Sequence, residues 1–596
     1  MDSSKQNERQ PPRAVKKKNQ TPEGQLRFCL ETCSKHKDIS QAISLYEKAM
    51  AQGIKLNLYH CNTLLYLCSS EALGLLRPEE TLKESDKTFA FNKGFEIYRH
   101  MISSNIPPNE ATLTAVARLA AANEDGDMAF EMVKKMVSQN LFLKLRSYSP
   151  ALLAFCKRKE ADKAYEVDEY MVSKGVKPEE EELRALLRLS IEVGREEKVY
   201  SLMHRLRANV RQVSPSTCEV IEQWFKSKVG AEVGKEKWDA VKIREAMVSD
   251  GGGGHGQGWL GKGNWRVEKT IMSPEGVCQC CGKQLVSSDI DSEETETFAQ
   301  SLARLACERE ANQNFKNFQC ENKVFSFVQG WLDCHGPYEY IVDGANVCLY
   351  QQNFSNGGFN IHQLKSVVEE ARQRSLMKKW PLIILHNKRT RGGPADEPYT
   401  KQLFEDWRKS GALYTTPTGS NDDWYWLYAA VRFKCFLVTN DQMRDHLFEI
   451  LGNEFFPKWR ESHQVYFTFN RLGPQLHMPP PYSVVIQESE TGSWHIPIKG
   501  ADDIETVRSW LCVTRSGTSG LEQRLISSEE GNTLCQSQCL GIEGICVANT
   551  SAHMVQLSTC NQNTDVIECS TNFTKSFLPR AGGKRKSRSS SPSSPS

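Results

Sequence analysis

Four aspartates carry the strongest chemical suggestion in this sequence. Asp343 closes the apolar run "EYIVD", Asp422 and Asp423 follow a turn in "SNDDWYW", and Asp441 closes "CFLVTND". Carboxylates gathered in one place repel and resist joint ionisation unless a cation sits among them. Hard oxygen donors with room for water suit Mg²⁺, with Mn²⁺ as a substitute, and such ions support hydrolysis of a phosphodiester. An aspartate at a strand end is also an ordinary helix cap, so each acid alone says little. His386, ending "WPLIILH", could move a proton, position a water or simply pack. Asp445, one turn beyond Asp441, reads as an outer helper or a solvated helix acid.

These acids meet only if the chain from about 320 to 475 alternates short apolar runs with amphipathic ones. "EYIVDGANV", "WPLIILHNK", "GALYTTP" and "CFLVTND" read as strands, while "IHQLKSVVEEARQRSLMKK", "EPYTKQLFEDWRKS", "WYWLYAAVRFK" and "QMRDHLFEI" read as helices. That alternation predicts a doubly wound α/β domain with a parallel sheet, whose ligands lie beyond the carboxyl ends of the strands. Trp424, Leu427, Tyr428 and Val431 recur at helical spacing and should pack on the sheet, which leaves Tyr425 or Trp426 to face a nucleic acid.

A second set of candidate ligands is split along the chain. Cys278 and Cys281 form a C-x-x-C pair in "EGVCQCCGKQL", with Cys280 spare, and two thiolates at this spacing hold one edge of a tetrahedral zinc. His495 in "GSWHIPI" and Cys512 in "SWLCVTR" could complete it, clipping distant segments into one small β module; a structural thiol and a core histidine are the plain alternative. Cys535, Cys539, Cys546, Cys560 and Cys569 match no zinc spacing, and the region after about 515 is expected to be poorly ordered.

The first third repeats. "KAMAQGIKLN", "RHMISSNIPPN", "KMVSQNLFLK" and "YMVSKGVKPE" align Ile54, Ile106, Leu141 and Val176, at intervals of 52, 35 and 35, the first carrying a 17-residue excess. Each unit holds two apolar-periodic stretches, which predicts an α-solenoid.

The whole chain sets wide bounds. Its 596 residues need roughly three or four domains. A net charge of +2 confines nucleic-acid binding to local patches. Twenty irregularly spaced cysteines fit a reducing compartment, and no apolar run reaches membrane-spanning length. The N-terminal stretch resembles neither a secretory signal nor an organellar presequence, and Lys584, Arg585, Lys586 and Arg588 could serve nuclear import in a disordered basic tail. "DGGGGHGQGWLGKGNW" reads as a linker, since Gly263 follows Gly261-Lys262 where a phosphate loop needs Ser or Thr.

The closing loops and the 35-residue period resemble pentatricopeptide repeats. Taken with the split Cys/His set, "VDGANV", "SNDDWYW" and "TNDQMRDH", the chain from about 22 to 515 resembles protein-only RNase P. The resemblance implies a NYN/PIN-like metallonuclease with Mg²⁺ on Asp343, Asp422, Asp423 and Asp441, and structural Zn²⁺ on Cys278, Cys281, His495 and Cys512. It implies removal of the 5′ leader of precursor tRNA without an RNA subunit, leaving 5′-phosphate and 3′-hydroxyl ends, by a monomer that uses no membrane and belongs to the nuclear plant type. Tracts of tRNA-like shape in other RNAs are possible further substrates. Base-reading positions carry over to Asn62 with Asn109, Thr114 with Lys144, and Ser149 with Glu179, where ordinary exposed positions are the alternative. The expected organisation is a disordered 1–21, repeats over 22–236, a Gly-rich linker and first zinc segment over 237–301, nuclease over 302–477, second zinc segment over 478–515, and the tail over 516–596. A non-catalytic RNA-binding adapter is the rival function, and a nucleotide-binding α/β protein lacks its glycine loop after "YIVD".

Overall fold

The computed structural model describes residues 21–76, 83–287, 290, 292–313, 321–352, 358–418, 420–443, 455–500 and 508–515, with backbone alone over 307–313 and 321–327. Asp445, the helix expected after Gln442, and both terminal tails lie outside these residues.

Among the described residues of the first third, eleven helices run from α1 (Pro22–His36) through α11 (Pro215–Lys226). They pair within each repeat, and α3 (Leu58–Ala72), α5 (Glu110–Ala122), α7 (Leu145–Arg158), α9 (Glu180–Glu192) and α11, the leading helices of successive repeats, pack on one another. The period read from sequence reappears in the backbone: Gly53, Asn105, Asn140 and Gly175 all take left-handed φ between 52 and 75°, at the same intervals of 52, 35 and 35. Glycine and asparagine tolerate that conformation, which turns the chain from one repeat to the next. The 17-residue excess falls between α3 (Leu58–Ala72) and the long α4 (Glu84–Ser103).

The central module is an antiparallel sheet in the order β1 (Trp265–Thr270), β10 (Trp510–Arg515), β9 (Trp494–Pro497), β8 (Gln487–Glu488). The glycine-rich stretch before it is not a free linker. Trp259 is buried among Trp224, Phe225 and Trp494, with ring centroids 5.5–5.8 Å apart, so the solenoid end and the sheet share one core. Arg515 rests 3.8 Å from the Trp265 ring and donates to the carbonyls of Gly230, Val233 and Leu260 at 2.7–2.9 Å. Glycine suits this stretch because Gly251, Gly252, Gly253, Gly256, Gly258, Gly261 and Gly263 all take positive φ, and at Gly234, which packs against it, a Cβ would sit 2.1 Å from the Gly261 carbonyl oxygen.

The third region is a six-stranded sheet in the order β4 (Leu413–Thr416), β3 (Leu382–His386), β2 (Tyr340–Asp343), β5 (Phe436–Val438), β6 (Gln464–Asn470), β7 (Gly473–His477). The first five strands are parallel as expected, but β7 runs antiparallel to β6, so the sheet is mixed. A tight turn from Asn470 to Gly473 leaves no room for a crossover helix, which a parallel neighbour requires. Both faces are covered: Ile341, Leu382 and Ile384 face one apolar core, and Tyr340, Val342, Ile383 and Leu385 the other. The 301/302 boundary drawn from sequence falls inside α14 (Ser292–Gln313), whose Phe298, Ala299 and Leu302 pack in the core of the α/β domain.

Candidate active site and metal centre

Strand order reverses between β2 and β5, and it is beyond their carboxyl ends that an open α/β sheet binds ligands. Asp343 is the last residue of β2 and Asp441 lies three past the end of β5. Helix α19 (Asp422–Phe433) starts after β4 yet packs across β2, β3 and β5, which carries its N-terminal Asp422 and Asp423 to the same edge. Gly344 permits this compactness, since a Cβ there would lie 2.8 Å from the Leu385 side chain.

Asp343 is buried and its carboxylate is divided between two tasks. Oδ1 accepts from the Asn346 amide at 3.0 Å, capping the helix Gly344–Leu349, and Oδ2 accepts from the Thr439 hydroxyl at 3.0 Å. The helix-cap reading therefore holds for this residue. Burial pushes its pKa up, the Asn346 amide and Thr439 hydroxyl pull it down, and the negative charges of Asp422 and Asp423 raise it, leaving it at about 7. The Thr439 Oγ1 also accepts from the Asp441 amide at 3.1 Å, so one hydroxyl links the acid of β2 to the acid after β5. Gln464 Nε2 donates to the Thr439 and Asp441 carbonyls at 2.9 and 2.8 Å, and the Asn440 side chain pairs with the Phe467 backbone. Thr439, Asn440, Asn346 and Gln464 were not singled out from the sequence; the one signal was a polar pair inserted between an apolar run and Asp441.

His386 ends β3 beside this edge. Its Nδ1 accepts from the Lys388 amide at 3.1 Å, which puts the proton of the neutral ring on Nε2. Burial lowers its pKa, and Lys388 and Arg389 lower it further against the opposing pull of Asp422. The aromatics beside Asp422 do not face solvent: Tyr425 and Trp426 are fully buried with Trp424, because α14 covers the face of α19 turned away from the sheet. Neither ring is available to stack on a base.

The Cys/His set is tighter. The donor atoms of Cys278, Cys281, His495 and Cys512 all lie within 4.8 Å of one another, and among the described residues no other cluster of His, Cys, Asp or Glu meets that closeness. Donors about 2.3 Å from one tetrahedral ion sit about 3.8 Å apart, so the set fits zinc. His495 and Cys512 are direct cross-strand partners on β9 and β10, and the pair Met272–Cys278 folds the C-x-x-C turn against them. Gly276 lets that turn close, since a Cβ there would meet the Tyr482 ring at 2.5 Å. Burial presses His495 down, but the thiols of Cys278 and Cys281 outweigh it and lift it to about 9. Cys280 stands apart, its thiol donating to Glu268 at 3.0 Å.

In the solenoid, one expected base-reading pair, Asn62 with Asn109, bonds across repeats, while Thr114 and Ser149 bond to glutamates outside their expected pairs. Asn62 Nδ2 donates to Asn109 Oδ1 at 3.1 Å and Thr112 donates to Asn62 Oδ1 at 2.6 Å. Ser149 donates to Glu182 at 2.5 Å. Thr114 is buried, donating to Glu110 at 3.1 Å, so its hydroxyl is not offered to solvent. Spacing along the chain located these residues without revealing that partners in the next repeat, or for Thr114 in its own helix, already engage them.

Two family models match the chain: the pentacotripeptide-repeat region of protein-only RNase P over residues 13–232, and protein-only RNase P over residues 272–512. The chain is 51% identical over 509 residues to Arabidopsis thaliana proteinaceous RNase P 1, chloroplastic/mitochondrial, covering 85% of each. It is 48% identical over 510 residues to Arabidopsis thaliana proteinaceous RNase P 2, covering 85% of this chain and 94% of that one. The crystal structure of nuclear proteinaceous RNase P 2 from A. thaliana superposes with a TM-score of 0.59 at 47% identity, over 83% of this chain and 100% of the other. With repeats, α/β domain and intervening Cys/His module all matched in order, the chain belongs to the protein-only RNase P family of precursor-tRNA-processing endoribonucleases.

Proposed function

We propose that this endoribonuclease removes the 5′ leader of precursor tRNA with Asp343, Asp422, Asp423 and Asp441 as its Mg²⁺ ligands. The observation that carries the assignment is Asp343, a buried carboxyl at the sheet's switch point, opposed by the charges of Asp422 and Asp423. Oxygen donors so placed fit a hard divalent cation and not a soft one. The chemistry such a cation supplies is activation of water and neutralisation of charge on the leaving oxygen, which would yield 5′-phosphate and 3′-hydroxyl ends. The protein's own part is orientation. Thr439 and Asn346 fix the Asp343 carboxylate, and the Asn421 side chain caps α19 by accepting from the Asp423 amide at 3.2 Å. His386 offers an Nε2 proton to a phosphate or leaving oxygen, a donor's role, since its Nδ1 is occupied. Purified protein should cut precursor tRNA in Mg²⁺ but not in EDTA, and Asp422→Ala with Asp423→Ala should abolish cutting while tRNA binding survives; cleavage by that double variant sinks the assignment.

Structural Zn²⁺ on Cys278, Cys281, His495 and Cys512 is supported by their mutual closeness, and metal analysis should find about one zinc per chain. The solenoid is assigned to tRNA shape, with Asn62, Asn109 and Ser149 able to reach RNA only by exchanging their inter-repeat bonds. Action as a monomer without an RNA subunit and residence in the nucleus complete the proposal. The nuclear relative and the Lys584–Arg588 cluster favour that residence, which a fluorescent fusion with and without the cluster would test.

A further inference from the structure

The segment that follows β3 carries three cations in four residues, Lys388, Arg389 and Arg391, in "HNKRTRGG". Several cations elsewhere in the chain are matched to acids: Lys93 meets Glu47 at 2.8 Å, Lys163 meets Asp127 at 2.8 Å, and Arg205 meets Asp168 at 2.6 Å. These three make no ion pair with any described residue. Lys388 and Arg391 are exposed, and Arg389 lies 5.5 Å over the ring of Phe359.

Their place in the fold is what gives the charge a meaning. β3 is the hydrogen-bonded neighbour of β2, with Asp343 opposite Ile384, so the residues just past His386 stand at the same sheet edge as the four acids. The short turn Asn387–Arg389 is fixed there by the His386 ring, which accepts from the Lys388 amide. Arg389 crosses toward Phe359, on the segment that follows Asp343 and its helix. On the outer side a cleft of about 410 Å³ opens, where Arg391, Lys401 and Arg408 outnumber Asp396 and Glu405. Acids that gather a divalent cation repel the polyanion they are meant to cut, so a neighbouring row of unmatched cations at the same edge has an electrostatic task.

We infer that Lys388, Arg389 and Arg391 form a phosphate-binding wall, which seats the RNA backbone flanking the scissile bond. The inference rests on the nuclease reading of the aspartates. These are contacts to charge rather than to bases, so they set affinity and register without sequence preference. Arg389, half-buried on Phe359, is the rigid member, and Lys388 and Arg391 are the two that can be removed without disturbing packing.

The test uses the full chain with Lys388→Gln and Arg391→Gln combined, beside Lys388→Arg with Arg391 kept. Expected for the double glutamine variant is an unchanged melting temperature and a roughly tenfold rise in KM for precursor tRNA. The plot of log affinity against log salt should be shallower by about 1 to 2, as each lost phosphate contact removes about 0.7 to 0.9. kcat at saturating substrate should stay within about twofold, and the Lys388→Arg variant should keep the wild-type slope. A loss confined to substrate carrying its leader assigns the wall to the leader strand; a loss shared with mature tRNA assigns it to the acceptor strand. An unchanged salt slope in the folded double glutamine variant overturns the inference. Failure of the wild-type chain to cut in Mg²⁺ would instead overturn the nuclease reading, because the binding slope is measured without cleavage.

Discussion

Around His495, four donor atoms from three distant segments lie within 4.8 Å; at the carboxyl edge of the six-stranded sheet, no three carboxylates among the described residues form such a cluster. Both sites are made where chain segments from far apart meet. Backbone register does the work in the first, where His495 and Cys512 face each other as cross-strand partners and a tight turn brings Cys278 and Cys281 onto them. Thiols can share protons and tolerate such crowding. The second is made of groups that repel, each tied to its own backbone: Asp343 caps a helix, Asp441 Oδ1 accepts from the Met443 amide at 2.8 Å, and Asp422 and Asp423 begin α19. On the proposed assignment, a closed metal site would contribute folding energy, whereas an open one would hold unfavourable charge until a cation binds.

The contrast breaks first on activity. Asp441→Asn should lower Mg²⁺-dependent cleavage by about 10³-fold or more while the melting temperature moves little; a variant that cuts normally would show that the acid edge is not the centre. Next comes folding at the thiol site, where Cys512→Ser should cost about 3 kcal/mol or more in denaturant unfolding and release zinc, in proportion to a structural role.

A smaller effect has the opposite sign. Asp343 is held at about 7, above the usual carboxylate range, so the folded chain binds a proton that the unfolded chain has already lost. Stability that this group supplies below about pH 4 is therefore lost as pH rises from 4 to 7, and stays lost above. In Mg²⁺-free buffer Asp343→Asn should be more stable than the parent at pH 8, with the gap closing toward pH 4. A pH-independent gap would mean that the carboxyl is not charged against its surroundings. The subtlest test is Thr439→Val, which removes the hydroxyl joining Asp343 to the Asp441 amide. The Mg²⁺ concentration for half-maximal cleavage should rise about tenfold, with Thr439→Ser restoring it, and direct Mn²⁺ titration should show the same shift.

The repeats were legible because their period is written twice, in apolar spacing and in the left-handed Gly and Asn positions. The four thiol-site residues were legible through the C-x-x-C spacing and the family resemblance, and the acids through their place at the ends of apolar runs. Less legible was everything decided by a second surface. Tyr425 and Trp426 pointed outward by helical periodicity, yet α14 buries them. Thr114 fell at an exposed register, yet Glu110 and Ser147 enclose it. The glycine stretch read as a linker because composition does not show that Trp259 fills a core shared by two regions.

What the sequence by itself determined is local and periodic: repeat length, the order of the first four strands of the α/β domain, and the candidacy of Asp343, Asp422, Asp423, Asp441 and the Cys/His set as ligands. Periodicity fixes which side of an element is apolar, but only for the first partner it meets. The tertiary structure decided which second element covers the other side and which polar neighbours share a hydrogen bond. It alone decided that Thr439 joins two acids across the switch point and that Lys388 and Arg391 are left unmatched beside them. Those outcomes depend on distances between residues far apart in the chain, and no spacing in the sequence encodes them.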